Sequence, residues 1–74
     1  MLDNIIEIIA NELNLDIDEV GADTDIVQEL EADSLSIQTI IMTIEDTYGI
    51  TVSDEAIVDL RTPALIVEYI ESNT

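Results

Sequence analysis

The chain contains no cysteine, so it has no disulfide framework, thiol nucleophile or thiolate metal site of its own. Histidine is absent too, which removes the commonest general base and metal ligand. Lysine is missing, and Arg61 is the only basic side chain. One guanidinium cannot assemble an oxyanion or phosphate clamp without much help from the backbone. The apolar runs are only a few residues long, so no membrane insertion is expected. No basic segment leading into an apolar stretch opens the sequence, so a signal peptide is not expected and the expected compartment is the cytoplasm. Carboxylates are plentiful, but an acid–base pair needs a pocket that separates two pKa values, and 74 residues of packed helix leave little room for one. The inventory points away from an enzyme. Any part this chain plays in chemistry is that of a substrate or carrier.

What is abundant is negative charge. Eighteen acids against one base give a net charge of −17. Such charge pushes short chains toward disorder, yet 47% of the residues are hydrophobic and the isoleucines are periodic. The expectation is one folded domain over residues 1–74, a monomer, burying about 60% of its unfolded surface. Self-repulsion makes it marginal at low ionic strength, and salt or divalent cations stabilise it by screening. Nucleic acid and anionic membranes are excluded as partners, and basic patches on proteins are favoured.

Leu2 to about Asn14 reads as a first helix, with Leu2, Ile5, Ile6, Ile9 and Leu13 on one face. Residues 15 to 33 lose that period and hold eight acids: Asp16, Asp18, Glu19, Asp23, Asp25, Glu29, Glu31 and Asp33. This is a long loop, which Leu15, Ile17, Val20, Ile26, Val27 and Leu30 are expected to pin over the core, with a helical turn near Ile26 to Leu30. The acids do not form a calcium loop. Counted from Asp16, Val27 stands where the bidentate glutamate is required; counted from Asp23, Gln28 replaces the required glycine. No dedicated metal site is expected. Further on, Ile50-Thr51-Val52 looks extended, and Ser53 or Asp54 can cap a short helix holding Ala56, Ile57, Val58 and Leu60. Thr62-Pro63 supplies an N-cap and a first-turn proline for a last helix carrying Leu65, Ile66, Val67, Tyr69 and Ile70. The fold class is all-α. A small four-helix bundle with a short third helix and its longest loop between the first two helices is expected.

The most regular element follows Glu31-Ala32-Asp33-Ser34-Leu35. Ile37, Ile40, Ile41, Ile44 and Tyr48 share the buried face of a second helix, clustering within about 60° of Ile37 at ~100° per residue. Asp33 is a good N-cap, and Gly49 sits where a left-handed residue ends a helix. Ser34 therefore lies at a helix N-terminus, where free N–H groups and the dipole favour a phosphate ester. Serines there are commonly plain caps. The far side of the helix argues for more. Leu35 and Met42 fall there, beside Thr39 and Asp46, with no packing reason to be large and apolar. Together they suggest a docking surface, for which the flexible, polarizable methionine is well suited.

Asp33-Ser34-Leu35 resembles the attachment motif of the acyl carrier protein family, and the resemblance covers nearly the whole chain. The acidic loop before it, the Ile-Met-rich helix after it and Glu45-Asp46-Thr47-Tyr48-Gly49-Ile50 match in order and spacing, and Thr51-Val52-Ser53-Asp54-Glu55 is similar to the family's approach to its third helix. The resemblance implies that Ser34 receives 4′-phosphopantetheine from coenzyme A through a phosphopantetheinyl transferase, with Asp33 and Leu35 completing the motif. It implies that the arm's thiol carries acyl groups as thioesters, so the sulfur is imported. Leu35, Thr39, Met42 and Asp46 would meet partner enzymes with basic docking patches that load or process the acyl or aminoacyl group. Ile40, Ile41, Ile44, Ile57 and Leu60 would line an acyl pocket. The sequence departs from the family pattern at Ser36 and Thr39, where acids are common, and at Glu31, near which many members have glycine.

The expected function is thus an acyl carrier in fatty acid or specialised (polyketide or lipid) biosynthesis. A discrete aminoacyl carrier of the D-alanyl type is the alternative, and an acidic interaction module without a prosthetic group is the third reading.

Overall fold

Four α-helices and one 3₁₀ turn make up the regular structure of residues 1–73, which the computed structural model of the chain describes. Helix α1 spans Leu2–Leu13, α2 Ser34–Tyr48, α3 Asp54–Ile57 and α4 Pro63–Ser72, and the 3₁₀ turn is Ile17–Glu19. Among the described residues there is no strand.

Three helix starts and two helix ends have a local chemical cause. Asn14 ends α1 in the left-handed region at φ 59°, a conformation asparagine tolerates better than most residues. Asp33 caps α2 and Gly49 closes it at φ 65°. A side chain at 49 would meet nothing within 4 Å, so the glycine answers a backbone need, not a crowded one. Ser53 and Thr62 cap α3 and α4 through their hydroxyls, and Pro63 begins α4, where its missing N–H costs no helical hydrogen bond.

The core is built largely of isoleucine. Ile5 and Ile9 of α1, Ile40 and Ile44 of α2, and Ile66 and Ile70 of α4 are all fully buried, with Ile26 from the long loop among them. Each such side chain contributes roughly 1.5–3 kcal/mol by leaving water. Helices α1, α2 and α4 thus share one apolar centre, while α3 is a four-residue element on its margin.

The long loop is held to the rest of the chain by hydrogen bonds as well as by apolar contact. Ile26 N–H donates to the Arg61 carbonyl at 2.9 Å, and Ala64 N–H to the Ala22 carbonyl at 3.0 Å. These stitch the loop to the connection between α3 and α4 and to the first turn of α4. Asp25 accepts from the N–H groups of Val27 and Gln28, and its other oxygen lies 3.3 Å from Arg61 Nε. That last contact is an ion pair without hydrogen-bond alignment. A turn forms over Ile26 to Glu29, where one was expected.

The pinning of the loop differs in part from expectation. Val20 and Ile26 are buried, and Leu15 and Leu30 are half-buried, but Ile17 and Val27 are exposed. The 3₁₀ turn leaves Ile17 beside Asp3, Ile6 and Glu7 at the surface. Val58, grouped by sequence with the apolar positions of the third helix, is exposed because α3 ends at Ile57. Ile37 and Tyr48 flank the core half-buried instead of completing it.

Candidate functional site

The segment before α2 is fixed at three successive residues. Glu31 adopts φ 56°, the left-handed region that costs an L-residue energy. Ala32 is buried, and its N–H donates to the Ile26 carbonyl at 2.9 Å. Asp33 then takes an extended conformation, and its Oδ1 accepts the Ser36 N–H at 2.8 Å. Ser34 follows as the first residue of a 15-residue helix, with its side chain exposed. The Ser36 backbone N–H, joined by the Ser36 hydroxyl, holds the Asp33 carboxyl below its ordinary value of 3.8. No acid occupies the first turn itself, so the positive end of the helix is opposed only by the capping carboxylate.

Leu35 and Met42 are 72% and 61% exposed, on the side of α2 away from the core. Asp46 is exposed and Thr39 half-buried on the same side. Thr39, Thr43 and Thr47 donate their hydroxyl protons to the carbonyls of Leu35, Thr39 and Thr43, at 3.0, 2.9 and 2.7 Å. These protons are engaged within the helix, so the strip exposes apolar groups and acceptors. No charged side chain lies between Asp33 and Glu45.

Two adjoining grooves run between α2 and α3. One, of about 300 Å³, is lined by Ser34, Ile37, Gln38, Asp54 and Ile57. The other, of about 270 Å³, is lined by Gln38, Ile41, Met42, Glu45, Val52, Asp54 and Ile57. Gln38, Asp54 and Ile57 border both, so a path leads from the Ser34 hydroxyl along α2. Of the residues expected to line an acyl pocket, Ile41 and Ile57 are on this path. Ile40 and Ile44 lie fully buried in the core, and Leu60 borders a separate depression with Leu65 and Tyr69. Gln38, Glu45, Val52 and Asp54 were not expected from sequence to line the groove. The spacing of Gln38, Ile41, Met42 and Glu45 at i, i+3, i+4 and i+7 is the signal that could have found the helical wall.

Among the described residues, no group of three or more acidic side chains is arranged to hold a metal ion, and no helix is long and apolar enough to cross a membrane.

Comparison with known proteins decides the family. The model of a family described as "Phosphopantetheine attachment site" matches residues 3–70. The acyl carrier protein of Wolinella succinogenes is 33% identical over 73 residues, covering 99% of this chain and 96% of its own. That of Helicobacter pylori is also 33% identical over 73 residues, covering 99% and 94%. The chain belongs to the acyl carrier protein family. A solved structure of the acyl carrier protein from Enterococcus faecalis superposes with a TM-score of 0.84 at 33% identity, covering 99% of this chain and 92% of that one.

Membership gives the all-helical fold its meaning: the protein is a non-catalytic carrier, and its cofactor is 4′-phosphopantetheine. It works with a phosphopantetheinyl transferase and with enzymes of acyl metabolism. The residues present fit such a group. An exposed hydroxyl stands at a helix N-terminus, which favours a phosphodiester, beside a groove with apolar walls and a polar rim for an amide-bearing arm.

Proposed function

We propose that Ser34 is the attachment residue and that the protein carries acyl intermediates in fatty acid or specialised lipid or polyketide biosynthesis in the cytoplasm. The observation that carries this reading is the exposed Ser34 side chain at the first residue of α2, opening onto the groove lined by Ile37 and Ile57. Ser34 Oγ would form a phosphodiester with the pantetheine phosphate of coenzyme A, losing its proton as the nucleotide part departs. When bound, the arm supplies a terminal thiol that holds acyl groups as thioesters. The chain's own contribution is placement. Asp33 closes the first turn and so orients Ser34, the helix dipole favours the phosphodiester anion, and Ile37, Ile41 and Ile57 offer apolar cover.

Leu35, Thr39, Met42 and Asp46 form the docking strip for the enzymes that load and process the cargo. The strip is uncharged until its C-terminal end, whereas the chain as a whole is at −17. This supports partners that grip Leu35 and Met42 by apolar contact and place basic groups near Asp33, Glu45 and Asp46. The same feature favours a second reading, a discrete aminoacyl carrier loaded by an adenylating enzyme, whose partners differ from those of general fatty acid synthesis.

The test is intact mass before and after incubation with coenzyme A and a broad-specificity phosphopantetheinyl transferase, with Ser34→Ala alongside. A gain of one phosphopantetheinyl group by the parent alone is expected. No gain in a folded, unmodified parent would overturn the assignment, as would a gain by Ser34→Ala.

A further inference from the structure

We infer that Glu45 is a positioning residue that fixes the α3 side of the groove and thereby sets how well the carried thioester is sheltered. This rests on the reading that the cargo of the Ser34 arm lies between α2 and α3.

Residues 49–53, which join α2 to α3, are anchored chiefly on Glu45. Its carbonyl receives the Gly49 N–H at 2.9 Å and the Ile50 N–H at 3.3 Å. Its side chain reaches further: Oε2 accepts the Val52 N–H at 2.8 Å, seven residues away and partly buried. Main-chain capping at a glycine is ordinary at a helix end. A carboxylate that holds an amide beyond the turn is not part of that motif. Apart from it, the Tyr69 hydroxyl meets the Thr51 carbonyl only at 3.4 Å, a weak bond.

The position of Val52 matters because it is buried and borders the groove opposite Ile41 and Met42. One residue later Ser53 caps α3, which brings Asp54 and Ile57 to the same groove. A four-residue helix is too short to be stable alone, so its placement comes from its surroundings. Glu45 is therefore the α2 side chain through which the two walls of the groove are tied. A partly buried amide that loses its acceptor is left with an unfavourable unpaired donor, which loosens the segment.

Shelter has a chemical readout. In hydrolysis, water adds to the thioester carbonyl, the carbon–sulfur bond breaks, and a carboxylic acid and a thiol are released. A groove with settled walls excludes that water, and a loosened one admits it.

The experiment compares Glu45→Gln, which keeps an acceptor oxygen, with Glu45→Met, which keeps the size and loses it. Amide exchange at Val52 is read on the unmodified chains. Spontaneous hydrolysis is read on each chain loaded with an octanoyl thioester, against the same thioester on free pantetheine. Glu45→Met is expected to speed Val52 exchange roughly tenfold while Ile44 exchange is unchanged. Its thioester lifetime falls most of the way to that of the free thioester, and Glu45→Gln stays near the parent in both. Unchanged Val52 exchange in Glu45→Met would overturn the inference, as would equal hydrolysis rates in the two variants or in the parent and Glu45→Met. If the parent takes no arm at Ser34, the attachment assignment fails, and the cargo-sheltering role falls with it. The exchange comparison still reports whether Glu45 holds the segment.

Discussion

Asp33 Oδ1 accepts the main-chain N–H of Ser36 at 2.8 Å, so the carboxylate beside Ser34 is engaged in closing the first turn of α2. It has a double effect: it orients the exposed hydroxyl and leaves a negative charge next to the site. Replacing Asp33 with asparagine keeps a capping oxygen, whereas alanine removes it. Asp33→Ala is expected to lower the melting midpoint by a few degrees and Asp33→Asn to change it little. Charge reversal in Asp33→Lys is expected to slow modification by the transferase. Mass-resolved modification kinetics check this, and equal rates for Asp33→Lys and the parent would count against a role for the acid.

Two carboxyls titrate below their ordinary value of 3.8. Asp33 is lowered first by the Ser36 N–H, and Asp25 by that of Gln28, with Val27 and Arg61 adding to it against partial desolvation. Because their folded values are depressed, the stability they contribute is present above 3.8 and is lost as pH falls through the lower folded values. The repulsion of a −17 chain works the other way, since protonating carboxylates relieves it. Stability is therefore expected to change little from pH 7 to about 5.5, to reach a maximum between about 5 and 4 as carboxyls begin to protonate, and to decline below about 4. Thermal melts across that range check the maximum. Salt should raise the midpoint at pH 7 and have a smaller effect near the maximum, where less charge remains to be screened.

Glu31 holds φ 56° without being glycine, which costs about 1 kcal/mol. The strained residue directly precedes Ala32, which is buried and donates its N–H to the Ile26 carbonyl. Glu31→Gly is expected to raise stability by somewhat less than that cost, because glycine also frees the unfolded chain. Glu31→Gln serves as the control, since it removes the same charge without the backbone relief. Urea denaturation midpoints that match for the two variants would mean that charge alone accounts for any gain.

The parts of this structure that were legible from sequence are those set by neighbours along the chain. Asp33, Gly49 and Thr62-Pro63 act within one turn of themselves, and so α2 and the start of α4 could be read directly. Leu35 and Met42 were found because a helical wheel shows which side chains cannot reach the core. The long loop was less legible because distant backbone atoms satisfy it: Ile26 pairs with Arg61, and Ala64 with Ala22. Apolar content alone could not tell that Val20 and Ile26 turn inward while Ile17 and Val27 stay out. The groove shows the same limit. Ile40 and Ile41 are sequence neighbours of equal character, yet only Ile41 borders it, because the position of α3 decides which one does.

Met42 and Ile44 stand two residues apart on α2 and have opposite environments, 61% and 1% exposed. A glutamate at 42 has water on its outer side and no core to disturb, so Met42→Glu is expected to change stability by no more than about 0.5 kcal/mol. Ile44→Ala opens a cavity among fully buried isoleucines and is expected to cost roughly 2–5 kcal/mol. Function should divide in the reverse sense. Met42→Glu places a charge in the middle of the neutral strip proposed as the docking surface, so loading by acyl-processing enzymes is expected to fall well below the parent's while modification at Ser34 is expected to continue. Where Ile44→Ala remains folded, the strip is intact and loading persists. Thermal melts with loading assays on both variants separate the two roles, and a collapse of stability in Met42→Glu would place Met42 in the core and remove it from the docking surface.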